Sequence, residues 1–317
     1  MKIKQAVAVG LLAMTPALTG CLSHTRSVQK MRLPDVVLNA TLDQLLNQVD
    51  ERYYALQGMT ASVQISASTG GSLQGQIKDS MNFSGYIIMA KPENIHVILL
   101  LPVFRSKALD MISDGKSFKM LIPPKSCAIV GSDVVTNNSQ KGLYSLRPAV
   151  ILDSLMVRGF SPDDMITMTQ DSRPVENPKK KKDWIEEPEY DIEFLSAPVN
   201  QVARTLRVLH ISRVNMLPYR QDIYNQEGKV VTQAFYENYQ KFDDGKIDFP
   251  TKIVIQRPLD ELGLTITITK ATFNQKLDAD QFDLGQQVPA NYALQNMDDP
   301  VSAKTAPCVA HATQLPR

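Results

Sequence analysis

"GYIIMAKPENIHVILLLPVFRSKALDMISDGKSFKMLIP", Gly85 to Pro123, reads as four strands joined by short turns. Lys91-Pro92-Glu93 breaks the first from the second, because proline has no N–H to give to a sheet ladder. Asp114-Gly115-Lys116 supplies the turn of a hairpin between "ALDMIS" and "SFKMLI". Strands that follow one another through such short turns pair antiparallel, because a parallel pair needs a long crossover. The second strand decides more. An antiparallel sheet with one wet face alternates apolar and polar residues. Here Ile95, Val97, Leu99 and Leu101 share one face, while Ile98 and Leu100 lie on the other. Both faces must be covered. Helices packed inside the curve of such a sheet leave a space lined by apolar side chains, which is either a filled core or a cavity for an apolar guest.

The pattern extends in both directions. Upstream, Thr41 is an N-cap, and Leu42, Leu45, Leu46, Val49, Tyr53 and Leu56 recur at helical spacing, with Gly58 as the stop. Ala61, Val63, Ile65 and Ala67 then alternate with Ser62, Gln64 and Ser66 as a half-buried strand. Downstream, "SCAIVG" is a short strand, and Arg147-Pro148 opens a second helix that runs through Val157. "ENPKKKKDWIEEPE", residues 176–189, interrupts with charge. Strands resume at Tyr190, and Leu264, Ile266 and Ile268 alternate with Thr265, Thr267 and Thr269. From about Val288 the pattern fades, so residues 289–317 read as a disordered tail. The expected fold is α+β and mostly antiparallel, a single large curved sheet of roughly ten or eleven strands with two or three helices.

A family resemblance rests on these stretches. Gly85–Pro123 is similar to the bacterial lipoprotein-localisation carriers of the LolA/LolB type: a strand ending in Lys-Pro, an apolar strand, a loop, then an Asp-Gly hairpin. "FPTKIVIQRPLDELGLTITITKATFNQKLDADQFDL", Phe249 to Leu284, resembles the closing strands of that family. The resemblance covers most of residues 35–288. It implies an unclosed half-barrel with helices capping the concave face and an apolar interior that takes acyl chains. Leu42, Leu45, Leu46, Val49 and Tyr53 of the helix, with Ile95, Val97 and Leu99 of the sheet, are then the candidate cavity lining. The charged stretch 176–189 and the long tail depart from the compact carriers.

The N-terminus points to the same compartment. Lys2 and Lys4, the apolar run Ala6–Leu18 and the small pair Thr19-Gly20 have the three parts of a secretory signal, residues 1–20. About 13 apolar residues are too few to span a bilayer that needs about 20. Leu18-Thr19-Gly20-Cys21 resembles the bacterial lipobox, in which the cysteine thiol takes a diacylglyceryl group, the chain is cut before it, and the new amino group is acylated. The alternative is a plain secreted protein with a chance cysteine. Lipidated Cys21 would anchor the chain stably, since two or three acyl chains hold where one does not. Residues 21–34 are then a tether. Leu22 points to the periplasmic face of the outer membrane, since an Asp there retains lipoproteins at the inner membrane in many Gram-negative bacteria. Cys127 and Cys308 form a candidate disulfide in an oxidising compartment, with two unpaired thiols as the alternative.

Composition narrows the partners. A net charge of +1 argues against nucleic acid, and 43% hydrophobic with 21% charged residues is globular. Val103, Phe104 and Arg105 stand in a strand connection after Pro102, a candidate membrane wedge with its cation at phosphate level. A loop folded onto the core is the alternative. The four lysines Lys179–Lys182 beside Trp184 are offset by Asp183, Glu186, Glu187 and Glu189, and read as a solvated loop. No nucleophile elbow, phosphate loop or dinucleotide glycine pattern is present, and the four histidines lack metal-ligand spacing. Neither catalysis, cofactor nor metal is expected. Two functions fit: a lipid-anchored protein that binds acyl chains of lipoproteins or lipids and hands them to a membrane, or a non-enzymatic sensory or scaffolding lipoprotein of the same fold that binds an envelope protein.

Overall fold

Fifteen strands pair into one sheet among the described residues, which in this computed structural model are 31–71, 75–79, 82–133, 146–160, 164–177, 180, 183–285 and 287–299. Helix α1 (Leu42–Ala55) precedes β1 (Gly58–Gly71), β2 (Gln76–Asp79), β3 (Phe83–Ala90), β4 (Asn94–Leu100), β5 (Lys107–Ser113), β6 (Ser117–Ile122) and β7 (Cys127–Ser132). Helix α2 (Pro148–Leu155) comes next. It is followed by β8 (Met165–Glu176), β9 (Trp184–Leu195), β10 (Thr205–Ser212), β11 (Pro218–Tyr224), β12 (Val230–Phe242), β13 (Ile247–Arg257), β14 (Leu262–Phe273) and β15 (Ala293–Asn296). The order across the sheet is β15-β7-β6-β5-β4-β3-β1-β14-β13-β12-β11-β10-β9-β8, with β2 hairpinned onto β1. The first long strand lies mid-sheet, antiparallel to both β3 and β14. Among the described residues β15 and β8 stand at opposite ends of the sheet order and do not pair, and two helices accompany the strands, so the sheet is an unclosed, mostly antiparallel half-barrel.

Residues 35–173 and 187–299 belong to one compact unit. Residues 31–34 and 174–186 belong to a second, small unit, within which Arg32 bridges Ile185 in parallel.

α1 forms where its period predicts. Thr41 and Gln44 make a reciprocal capping box: the Gln44 N–H donates to Thr41 Oγ1 at 3.3 Å, and the Thr41 N–H donates to Gln44 Oε1 at 2.9 Å. Gly58 does not stop the helix. Leu56 leaves it in extended backbone, and Gly58 opens β1, where an added Cβ would lie 3.1 Å from the Met89 carbonyl. Asn274 closes this junction by accepting from the Gln57 N–H at 2.7 Å and donating to the Ala55 carbonyl at 2.7 Å.

Two apolar clusters fill the inner face. Leu45, Leu46 and Val49 of α1 pack on Tyr190, Ile192 and Phe194 of β9 and Leu209 and Ile211 of β10. Ile151, Leu152 and Leu155 of α2 belong to the larger cluster over β1, β3–β7 and β12–β14. Val157 packs against both. On the other face of β4, His96 is buried and Ile98 and Leu100 are half-buried, with the short turn Ala279–Phe282 against the strand and Lys119 of β6 donating its ammonium to the Leu284 carbonyl.

That segment overturns the tail expected from residue 289. Ala293–Asn296 pairs parallel with β7, Met297 is buried, and Asp298 accepts from the Ser132 N–H at 2.6 Å and faces Arg147 at 3.4 Å. Folded structure therefore continues to residue 299, and residues 300–317 lie outside the described residues. The charged stretch 176–189 is no simple interruption between strands either. Trp184–Glu189 is the first half of β9, and Glu176 ends β8.

Candidate functional site

The interior comes first, because the candidate lining residues meet it in two places. Leu45, Leu46 and Val49 face β9 and β10, with Leu42 partly buried beside them. Ile95 and Val97 lie in the α2 cluster, and Leu99 packs against its margin. The structure thus does not bring the α1 and β4 residues together as one lining. Sequence period assigned each residue to its face, but it could not say which helix covers which strands.

Val49 and Tyr53 line a cavity with Arg52 and Leu56, the end of α2 (Leu155, Met156) and Tyr236, Tyr239 and Phe249 of the sheet. Its volume is about 60 Å³. Small-molecule pockets run to roughly 300–1,000 Å³, so the space that α1 leaves against the sheet beside Tyr236 is too small for an acyl chain in this state. The side chains, not a void, satisfy the apolar inner face.

Two donors in this cavity are left over. The Tyr236 hydroxyl and Arg52 Nη1 are buried without a hydrogen-bond partner. A buried donor left unpaired costs about 1–3 kcal/mol. Burial lowers the Arg52 pKa, opposed by Tyr239 and Asp248, and burial likewise raises that of Tyr236. Tyr239, by contrast, donates to the Pro218 carbonyl at 2.7 Å.

The candidate wedge lies in the β4–β5 connection. Val103 and Phe104 are 80% and 83% exposed, so the loop is not folded onto the core. Its backbone is closed on itself: the Arg105 N–H donates to the Leu101 carbonyl at 3.0 Å, and the Leu101 N–H to the Ser106 carbonyl at 2.8 Å. Arg105 takes a left-handed φ of 52° to make the turn. A tight, hydrogen-bonded loop therefore holds two apolar side chains in solvent. No helix among the described residues is long and apolar enough to cross a membrane.

A polar cluster on the outer face of β9–β11 was not expected. Tyr190, Ile192 and Phe194 point inward, so Glu189 and Asp191 point out, and register sets His210 opposite Asp191. His210 Nδ1 lies 2.7 Å from Asp191 Oδ1, and Nε2 lies 3.6 Å from Asp222 Oδ2. Burial works to lower the His210 pKa, yet Asp191 and Asp222 outweigh it and raise it to about 9. Arg220 grips Asp222 through Nε at 2.8 Å, Tyr219 donates to Glu189, and the Arg173 guanidinium stacks 3.3 Å over the Tyr219 ring. Glu189, Asp191 and His210 are close enough to share a metal ion. The donor set suits a cation poorly, because Asp191 already pairs with His210, and Glu189 with Arg173 and the Tyr219 hydroxyl. The arrangement is an ion-pair network that joins four strands, β8 to β11. The signal was present as charges at alternate positions of β9, but their partners come from β10 and β11.

Cys127 is fully buried and disulfide-bonded, while Cys21 and Cys308 lie outside the described residues.

No protein-family model matches this sequence, and no curated protein matches it. Among solved structures, it is similar to a LolA superfamily protein from Nitrosomonas europaea, with 16% identity over 77% of this chain and 98% of that one at a TM-score of 0.47. It is also similar to a DUF1329 family protein from Desulfovibrio piger, with 13% identity over 76% and 95% at 0.49. A third likeness, from Vibrio parahaemolyticus, bears the name outer membrane lipoprotein-sorting protein domain, with 8% identity over 75% and 94% at 0.46.

Proposed function

We propose that the chain is an acyl-binding lipoprotein of the cell envelope, not an enzyme. Anchored through Cys21 at the periplasmic face of the outer membrane, it takes acyl chains of lipoproteins or lipids against its inner face and hands them to a membrane at the Val103–Phe104 loop. One observation carries the reading. Among the described residues, an apolar inner face that runs from β4 to β10 is covered by two helices, of 14 and 8 residues. Burying a methylene contributes about 0.8 kcal/mol, so a long chain can replace the helix side chains on that face without a cofactor. Exposed Phe104 beside Arg105 and Lys107 suits an interface where acyl chains meet phosphates.

Native mass spectrometry of the full chain carrying Cys21→Ala, before and after delipidation, tests this. Acyl adducts that are lost on delipidation and restored by a palmitoyl probe are expected. A protein that never carries an adduct would end the proposal. The filled interior favours a second reading, a scaffolding lipoprotein that binds an envelope protein. A stable protein partner with no acyl adduct would decide for it.

A further inference from the structure

We infer that the β9–β10 connection is a second membrane contact, with Val199 and Val202 at its tip and Arg204 at its base. The inference rests on the membrane contact proposed for the Val103–Phe104 loop and adds a further part to it. "APVNQVAR", Ala197 to Arg204, folds as a small hairpin of its own. The Val199 N–H donates to the Val202 carbonyl and the Val202 N–H to the Val199 carbonyl, both at 3.0 Å. Asn200 and Gln201 close it with left-handed φ angles of 51° and 67°, the pair that a two-residue hairpin turn requires. Ser196 fixes the base: its N–H donates to the Arg204 carbonyl at 2.9 Å, and its hydroxyl accepts from the Arg204 N–H at 3.1 Å. Directly opposed residues carry their side chains on one side of a hairpin. Val199 and Val202 therefore stand together, and they are 71% and 59% exposed.

Strand direction fixes which end of the sheet this hairpin occupies. Antiparallel pairing puts the β4–β5, β6–β7, β9–β10, β11–β12 and β13–β14 connections at one end of the strands. The β3–β4, β5–β6, β10–β11 and β12–β13 connections lie at the other. Among the described residues of these connections, large exposed apolar side chains occur at the first end alone: Val103 and Phe104, Leu259, and Val199 with Val202. The other end turns on charge, with Asp114, Asp243 and Asp244. In sheet order the three apolar connections are four strands apart, about 19 Å along the sheet at each step. Contacts spread over eight strands suit an extended surface, where a single peptide would fill one groove. Charge says which surface. Arg204 is the only charged residue from Ser196 to Leu206, and Arg105 and Lys107 are the only ones from Pro102 to Leu109. Apolar tips beside cations, with no acid among them, fit an anionic bilayer, whose acyl chains lie beneath phosphates.

Liposome flotation of the full chain carrying Cys21→Ala tests this, with vesicles of phosphatidylglycerol and phosphatidylethanolamine set beside vesicles of phosphatidylcholine. Val199→Glu and Val202→Glu should each lower partition about tenfold and leave the melting temperature unchanged, since both side chains are exposed. Arg204→Gln should lower binding to the anionic vesicles about fivefold and leave phosphatidylcholine vesicles unaffected. Linked contacts reinforce one another, so Val202→Glu joined to Phe104→Glu should lower partition further than either alone. A loss with Phe104→Glu but none with either valine variant would overturn the inference and leave the Val103–Phe104 contact standing. Flotation unmoved by all three would end the membrane contact as a whole. Sedimentation velocity covers the other occupant. A dimer that Val202→Glu dissolves, with flotation unchanged, would mean that the hairpin meets a second copy of this chain, and would equally overturn the inference.

Discussion

His210 is a residue whose chemistry the fold alters strongly. It sits as an imidazolium between Asp191 and Asp222, with its pKa raised to about 9 from an ordinary 6.5. A raised folded-state pKa means stabilisation that is complete below about pH 6.5 and lost as pH climbs through about 9. The shift corresponds to about 3 kcal/mol at most. Lys91, lowered to about 8 by burial, works the other way, since stability rises with pH above 8 as its buried charge is relieved. The decline should therefore be clearest between pH 6.5 and 8, and denaturant melts of His210→Gln should lack it. A variant that keeps the wild-type slope would place the pH dependence elsewhere. Phe104 makes the opposite case, a residue whose removal the fold should not feel. At 83% exposure, Phe104→Glu should move stability by no more than about 0.5 kcal/mol. Flotation of the Cys21→Ala chain with anionic liposomes should fall sharply in the same variant. Unchanged flotation would remove the loop from the membrane contact.

Among the elements, α1 is the one that an acyl chain would displace under the proposed function, and its start depends on one cap. Thr41→Ala removes half of the capping box and should cost about 1 kcal/mol, a drop of about 2–4 °C in melting temperature. Hydrogen exchange should quicken in the first turn of the helix and stay unchanged in β1 and β14, and uniform acceleration would mean that α1 does not move alone. Elements with a strong period were legible in the sequence: α1 from its leucines, β14 from Leu264, Ile266 and Ile268, β4 from apolar residues on both faces. Those whose residues answer to distant partners were not. β11 reads as mixed because Gln221 reaches the Asp153 carbonyl at 3.1 Å and Asp222 is fixed by Arg220 and His210. β8 is a largely exposed sheet-end strand with no apolar alternation strong enough to announce it. β15 has four residues and pairs parallel with a strand more than 150 positions earlier, which no local pattern can reveal. The candidate site was legible to the same degree. Of the eight candidate lining residues Val49 and Tyr53 border the small cavity beside α1, and Tyr236 reaches it from β12 with a buried hydroxyl whose missing partner no sequence pattern can display.

For the molecule as a whole, the question is what lifts α1 from the sheet. The helix is held by Leu45, Leu46 and Val49, all buried against β9 and β10. Exposing three such side chains costs roughly 5–9 kcal/mol, at about 1.5–3 kcal/mol each. An acyl chain that occupies the vacated wall recovers about 0.8 kcal/mol for each methylene it buries. The two come level at roughly 6–11 methylenes, so short chains cannot hold the open form and long ones can. Affinity should therefore depend on length as a threshold. Methyl octanoate should scarcely compete with a bound fluorescent acyl probe, methyl laurate should compete weakly, and methyl palmitate should compete well. Exchange of the α1 amides should rise with the last of these while the central strands β1 and β14 stay protected, since their clusters are not opened. Competition that grows smoothly from the shortest chain, with α1 protected throughout, would mean that ligands bind the outside of a closed molecule and that the two helices are fixed parts of the core.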